Sequence, residues 1–287
     1  MEKSLKLSLS LILICCLSCN IEYLSKEQRE KRAEFKWGEF LDAHGYRQGS
    51  PANMKALEEI LKLNPNQCDA IRELSIPYLK RGMPEEWKSI YDRAVECDAA
   101  LWQPWRGYLY LYFYRDYEKA IADFNASDSL TPNHIDSPQG HSVDYWRGHA
   151  YLGAKDYDNS IRYYQKHIAH VTAEWGEDWL EPDAFLNLGI AFYEKKAFDK
   201  VSEQLDKALY HYQEKSADTK YYYALLEQEK GNHDRALIWV GAAIEDFLQG
   251  NSKKRPYNEE IRQVYLEQLI ELEKELKKPH QKAGFVN

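Results

Sequence analysis

The chain has 287 residues, 44% of them hydrophobic and 29% charged, enough for one large domain or one elongated array, which excludes collagen-like, coiled-coil-only and wholly disordered organisation. Asp and Glu number 46 against 38 Lys and Arg, a formal net charge of -8. A surface that tracks phosphates wants the opposite balance, so nucleic acid is not an expected partner.

At the N-terminus, Lys3 and Lys6 precede a mostly apolar run from Leu7 to Leu17. That run is too short for a bilayer, which needs about twenty apolar residues, and reads as a removable export signal over residues 1–18. Cys15-Cys16-Leu17-Ser18-Cys19-Asn20 resembles a bacterial lipoprotein signal, with a small residue just before a Cys that is acylated and becomes the mature N-terminus. Cys16 departs from the usual Leu. The resemblance implies lipidation at Cys19, a polar tether over 19–28 and attachment to the bacterial outer membrane. Without acylation of Cys19 the protein would be secreted.

Self-similarity organises the rest. WRGYLYLYFYRDYEKAIADF (105–124) and WRGHAYLGAKDYDNSIRYY (146–164) share W-R-G, an aromatic-rich helix, and D-Y opening a second helix. LNLGIAFYEKKAFDKVSEQLDKAL (186–209) repeats the layout, and YYYALLEQEKGNHDRALIWVGAAI (221–244) carries a worn version. Weaker units precede these. Small residues at Ala120, Gly148, Gly189, Ala208, Ala236 and Ala243 are expected where two helices approach too closely for a longer side chain. Ser50-Pro51 and Met83-Pro84 place Pro at a first helical position, and Gly82 and Gly231 fall where a helix should end in a left-handed cap. After Pro256, apolar residues on one face predict a terminal capping helix over 257–278. Lys253-Lys254-Arg255 reads as a short basic patch on a solvated linker.

These units resemble the tetratricopeptide repeat, a helix-turn-helix with W-x2-L-G-x2-Y, then A-x3-F, then P. The resemblance covers 29–250, as units at 34–67, 68–100, 101–134, 141–174, 182–215 and 217–250, the third with one extra residue in its first helix. It implies an all-α, right-handed superhelical array of helix-turn-helix repeats whose first helices line a concave groove. Projected on this chain, the groove would hold a protein or peptide partner with Trp105, Tyr108, Tyr112, Tyr145, Trp146, His149, Asn187, Tyr193, Tyr221 and Tyr222. Trp and Tyr offer large, stiff contact surface; the competing reading makes the same rings core. The basic residues of the family's carboxylate clamp have no counterparts at matching positions.

Two connections, 131–142 and 172–182, are longer than repeat turns need, and the second carries Trp175 and Trp179 among four acids. Cys68 and Cys97 fall at one end of a single hairpin. A bridge between them is geometrically open, as is the alternative of two thiols held apart by the usual 8 to 10 Å between helix axes.

Chemistry has little to stand on. His167 and His170 share a helix face without a third ligand, and neither a Gly-rich phosphate loop nor a nucleophile-elbow Ser is present. The expectation is a non-enzyme without cofactor or metal: a lipid-anchored adaptor, or alternatively a binder of a small glycan or peptide, or an inhibitor or immunity protein, using the same groove.

Overall fold

The computed structural model describes residues 23–42 and 46–278. The export signal and Cys19 lie outside the described residues. Thirteen α-helices and no strand occur among those described.

By backbone contacts the chain forms two compact units, Met1–Trp102 and Gln103–Asn287. The first contains α1 (Lys26–Asp42), α2 (Pro51–Leu63), α3 (Cys68–Lys80) and α4 (Pro84–Cys97). Ser50 caps α2 by accepting the Asn53 N–H, with Pro51 at the first turn where a missing N–H costs nothing. Ala33, Leu57, Ile60, Leu63 and Ala70 are buried together, with Trp37, Phe40 and Leu74 packed on them. α1 begins at Lys26, ahead of the expected unit start at 34.

Cys68 and Cys97 are joined in a disulfide, with Cα atoms 5.6 Å apart. The axis separation that kept the alternative open describes mid-helix pairs. Cys68 is the first residue of α3 and Cys97 the last of α4, and at this end of the hairpin the two backbones approach within disulfide reach.

The second unit begins within α5 (Ala99–Leu109), which runs on into a π-helical turn over Tyr110–Tyr114. One residue more than the repeat period is absorbed by widening a single turn, and Arg115 then ends the helix at φ 54°. The pairs that follow are α5 with α6 (Tyr117–Leu130), α7 (Val143–Gly153) with α8 (Tyr157–Trp175), α9 (Pro182–Glu194) with α10 (Phe198–His211), and α11 (Ala217–Glu229) with α12 (His233–Leu248).

In three of these hairpins a glycine sets the approach. A Cβ at Gly148 would meet the Tyr164 ring at 2.8 Å, one at Gly107 the Phe124 ring at 2.8 Å, and one at Gly189 the Leu205 side chain at 3.1 Å. The last helix, α13 (Leu266–Leu276), packs on α12. It starts at Leu266 rather than at 257, because residues 251–265 are spent elsewhere.

Candidate functional site: a covered first-helix face

The face built by α5, α7, α9 and α11 carries all ten residues projected as the partner-binding groove. None is exposed. Tyr108, Tyr112, Tyr145, Trp146, His149, Asn187 and Tyr222 are buried, and Trp105, Tyr193 and Tyr221 are half-buried. The rings projected as the partner-binding groove are therefore covered in this structure rather than open. Tyr108 and Tyr112 stand edge-on to Trp146 at centroid distances of 5.0 and 5.7 Å, and Tyr145 contacts both Trp146 and His149. Tyr222 contacts Tyr193 and Tyr221.

His149 belongs to this floor. Its Nδ1 lies 3.0 Å from the Tyr145 carbonyl oxygen and its Nε2 3.2 Å from the Asn187 side-chain nitrogen. One nitrogen therefore donates to the carbonyl while the other accepts the amide, which is the neutral form. Burial pushes the imidazole down to about 3.

The cover comes from the chain itself. Between Gly250 and α13 the backbone leaves helical geometry and folds into a loop, closed where Gln263 Nε2 donates to the Lys253 carbonyl at 2.8 Å. At its near end the Ala217 N–H donates to the Asn251 carbonyl, and the Lys253 N–H to Asp218 Oδ2 at 2.9 Å. Lys253 Nζ sits 3.1 Å from Asp183 Oδ2. The Arg255 guanidinium lies 3.6 Å from the centroid of the Tyr112 ring and donates to the Tyr108 hydroxyl, a cation–π contact in a desolvated setting. The Tyr112 hydroxyl donates to Glu260, and Arg115 donates to the Glu259 carbonyl. At the far end Arg262 donates to Glu194 Oε1 at 2.8 Å and to the Leu152 carbonyl at 3.2 Å. The expected solvated linker is thus a plug seated on four first helices.

Electrostatics follow the seating. Burial alone would raise the Asp183 carboxyl, but the Lys253 charge and the Tyr212 hydroxyl outweigh it and hold it below its ordinary value. Asp218 goes the other way: burial dominates and lifts it to about 6, with Lys253 offsetting only part. Burial would lower the Lys253 ammonium, and Asp183, Glu260 and Asp218 together hold it up. A cavity of about 390 Å³ opens beside this end of the plug, lined by Asp183, Tyr212, Asp218, Lys253 and Glu260.

The two long connections meet in a second place. Ser142 caps α7 by accepting the Tyr145 N–H, and its hydroxyl is 2.9 Å from His167 Nδ1. His167 Nε2 and His141 Nδ1 lie 2.9 and 3.1 Å from the same oxygen of Glu181. Burial would raise Glu181, yet the two imidazoles outweigh it and bring the carboxyl down to about 2. This chain ties loop 131–142 to the turn before α9. It borders a cavity of about 390 Å³ rimmed by Trp175 and Trp179, both mostly exposed, so neither indole is packed away on neighbouring helices. His170 faces the Trp175 ring rather than His167. Among the described residues no group of three or more His, Cys, Asp or Glu could hold a metal ion, and no helix is long and apolar enough to cross a membrane.

No protein-family model and no curated protein matches the chain. Solved structures do. A chain of the APC/C hetero-tetramer Cut9–Hcn1 is 14% identical over 87% of this chain, with a TM-score of 0.57. The match spans 46% of that protein, less than half its length. PilW, a widely conserved type IV pilus biogenesis factor, is 14% identical at a TM-score of 0.57, covering 78% of this chain and 94% of its own. YrrB, a TPR protein with an unusual peptide-binding site, is 17% identical at a TM-score of 0.51, covering 67% and 93%. The chain has the tetratricopeptide-repeat fold.

Within that fold the two W-R-G segments are used differently. Arg106 makes a two-point pair with Asp123 inside its own hairpin. Arg147 instead reaches back to the previous repeat, donating to both Asp128 oxygens and to the Phe124 carbonyl beneath the Tyr163 ring. Sequence inspection missed the plug. Its only trace was the density of Lys and Arg at 253–262, for which no acidic counterpart can be named without the fold.

Proposed function

We propose that this protein is a lipid-anchored adaptor of the bacterial envelope, held to the outer membrane through Cys19, whose repeat array binds a protein or peptide partner. One observation carries the binding half. The first-helix face already receives a polypeptide segment through its side chains, with Asp183, Asp218, Glu194, Tyr108 and Tyr112 as recipients. A surface that seats one such segment has the chemistry to seat another. The repeat fold supports this by analogy of architecture, as does the peptide-binding site described for YrrB. The anchoring half rests on Lys3, Lys6, the apolar run and Cys19 in the sequence.

The test is in-cell photo-crosslinking with the reactive residue placed at Tyr257, on the exposed rim of the plug, and at Tyr210, exposed on the second helix of its hairpin. A protein adduct at position 257 and none at 210 supports the reading; adducts only at 210, or none, refute it. Loss of acyl-chain incorporation in Cys19→Ser tests the anchor separately.

A second reading, a small glycan ligand, is favoured by the cavity bordered by Trp175, Trp179, His141 and Glu181. Exposed indoles beside a carboxylate suit a sugar ring, and a saturable change in Trp fluorescence with cell-wall oligosaccharides, abolished in Trp179→Ala, would establish it.

A further inference from the structure

We infer that residues 252–264 are a resident pseudo-ligand, and that the first-helix face of α5, α7, α9 and α11 binds, in exchange for it, a basic segment of a partner protein. This rests on the adaptor reading and adds the chemistry of the ligand and the device that governs access.

The seats define the ligand. Asp183 and Glu194 stand at opposite ends of α9, about 16 Å apart at 1.5 Å per residue, and Asp218 stands at the start of α11. Each meets the plug through Lys253 or Arg262. Between these ends the aromatic floor offers the Tyr112 ring face and the Tyr108 hydroxyl, both taken by Arg255. A face with carboxylates at its ends and a π surface at its centre recognises two or three cations on a non-helical backbone.

The plug is held by the kind of contact that opens. Within 252–264 only Val264 is fully buried, and Tyr257 is largely in solvent. Its attachments are ion pairs and hydrogen bonds, which salt weakens, rather than the interdigitated apolar packing that locks the helices beneath. The face it would uncover cannot stay empty at low cost. Lys253, together with the Tyr212 hydroxyl, keeps the half-buried Asp183 carboxyl below its ordinary value despite desolvation, and a partly desolvated carboxylate that loses its cation is destabilised. Removing Lys253 and Arg262 leaves Asp183 and Glu194 hydrogen-bonded to the Tyr212 and Tyr157 hydroxyls but without their cations, so departure of the plug is favoured when another cationic segment arrives. Tethered at both ends by α12 and α13, the plug competes at an effective concentration in the mM range. It therefore screens out weak basic peptides and yields to a partner that adds contacts beyond the three seats.

The probe is a fluorescein-labelled peptide of residues 251–265, titrated at low salt into two full-length chains: the unaltered protein and Lys253→Ala/Arg255→Ala/Arg262→Ala, whose plug has lost its side-chain seats. The expected result is binding to the triple variant at least about tenfold tighter than to the unaltered chain. That binding should disappear in molar salt, and a peptide carrying Ala at the same three positions should bind neither chain. Equal binding to both chains, or no binding to a variant of unchanged circular dichroism, overturns the proposal.

If the variant does not fold, amide hydrogen exchange on the unaltered chain decides. The Lys253 N–H should exchange at least about 100-fold faster than amides in the middle of α9, and faster still in salt. Exchange as slow as α9 makes the plug a permanent part of the fold and ends the idea. Failure of the adaptor reading looks different: peptide exchange in vitro stands, but no cellular protein crosslinks at position 257.

Discussion

Gly148 offers the sharpest check on how the hairpins close. A methyl group there would lie 2.8, 2.9 and 3.0 Å from Cδ1, Cε1 and Cγ of Tyr164. The ring has nowhere to go. Tyr164 is fully buried, with Tyr145 and His149 edge-on at 6.1 and 5.3 Å, and the Ser160 hydroxyl donates to the Gly148 carbonyl at 2.9 Å, pinning α8 to α7. Helix propensity favours Ala over Gly by about 1 kcal/mol, whereas overpacking a filled core costs about 1 to 3 kcal/mol. Given a buried ring at 2.8 Å, the cost belongs at the upper end, for a net loss of about 2 kcal/mol.

The control is Gly241 in the middle of α12, where an added Cβ meets nothing within 4 Å. Gly241→Ala should stabilise by about 0.5 to 1 kcal/mol. Urea unfolding followed by circular dichroism at matched slopes reads both, and the two substitutions should move the midpoint in opposite directions. A Gly148→Ala chain as stable as Gly241→Ala would show that the close approach of α7 and α8 is not enforced, and the packing rationale would fail.

Three further outcomes follow from the structure. His149 titrates near 6.5 in an unfolded chain but about 3 when folded, so the unfolded state binds more protons between those values, and the stability is full above pH 6.5 and drains as pH falls toward 3. Lowering the pH from 6.5 to 5 should cost about 2 kcal/mol through this group, and a His149→Gln chain, compared in urea melts at both pH values, should lack that part of the slope. The Cys68–Cys97 bridge closes a loop of sequence separation 29, worth about 3 to 4 kcal/mol on the chain-entropy view; Cys68→Ser/Cys97→Ser should lower the unfolding midpoint accordingly, while a non-reducing peptide map with two free thiols would remove the bridge from the account. Arg147 is 1% exposed and holds Asp128, the Phe124 carbonyl and the Tyr163 ring at once, so Arg147→Lys should cost about 2 to 4 kcal/mol, since an ammonium cannot reproduce the planar fork; thermal melts indistinguishable from the unaltered chain would contradict this.

The repeat layout was legible because its cause is local. Gly107 and Gly148 follow Trp-Arg in segments of like pattern, each opposing an aromatic of its own second helix, Phe124 or Tyr164, and such contacts recur at a fixed spacing that periodicity exposes. Even the extra residue of the third unit was visible, although only the fold shows it taken up as the π turn at Tyr110–Tyr114. The role of the aromatic face was not legible. Tyr108 and Arg255 are 147 residues apart, and Leu152 and Arg262 are 110 apart; a repeat pattern says which side chains line a face and nothing about what later covers it. The apolar spacing of Ile261, Tyr265, Leu269, Leu272 and Leu276 read as one helix from 257, while the backbone held helical geometry only from Leu266. Ion pairs at Lys253 and Arg262, the cation–π contact of Arg255 and the Tyr112–Glu260 hydrogen bond outweighed the helix propensity of the segment between them.

By itself the sequence determined that this is an all-α repeat array, which residues are small at helix crossings, and which rings share a face, since all three are properties of one helical hairpin and its neighbours. Tertiary structure alone decided that the shared face is occupied, that Cys68 and Cys97 come within bonding distance, and that one W-R-G arginine turns to its own hairpin while the other turns to the one before. These depend on where distant segments end up once the array has stacked, and long-range charge pairing and burial leave no period in the chain.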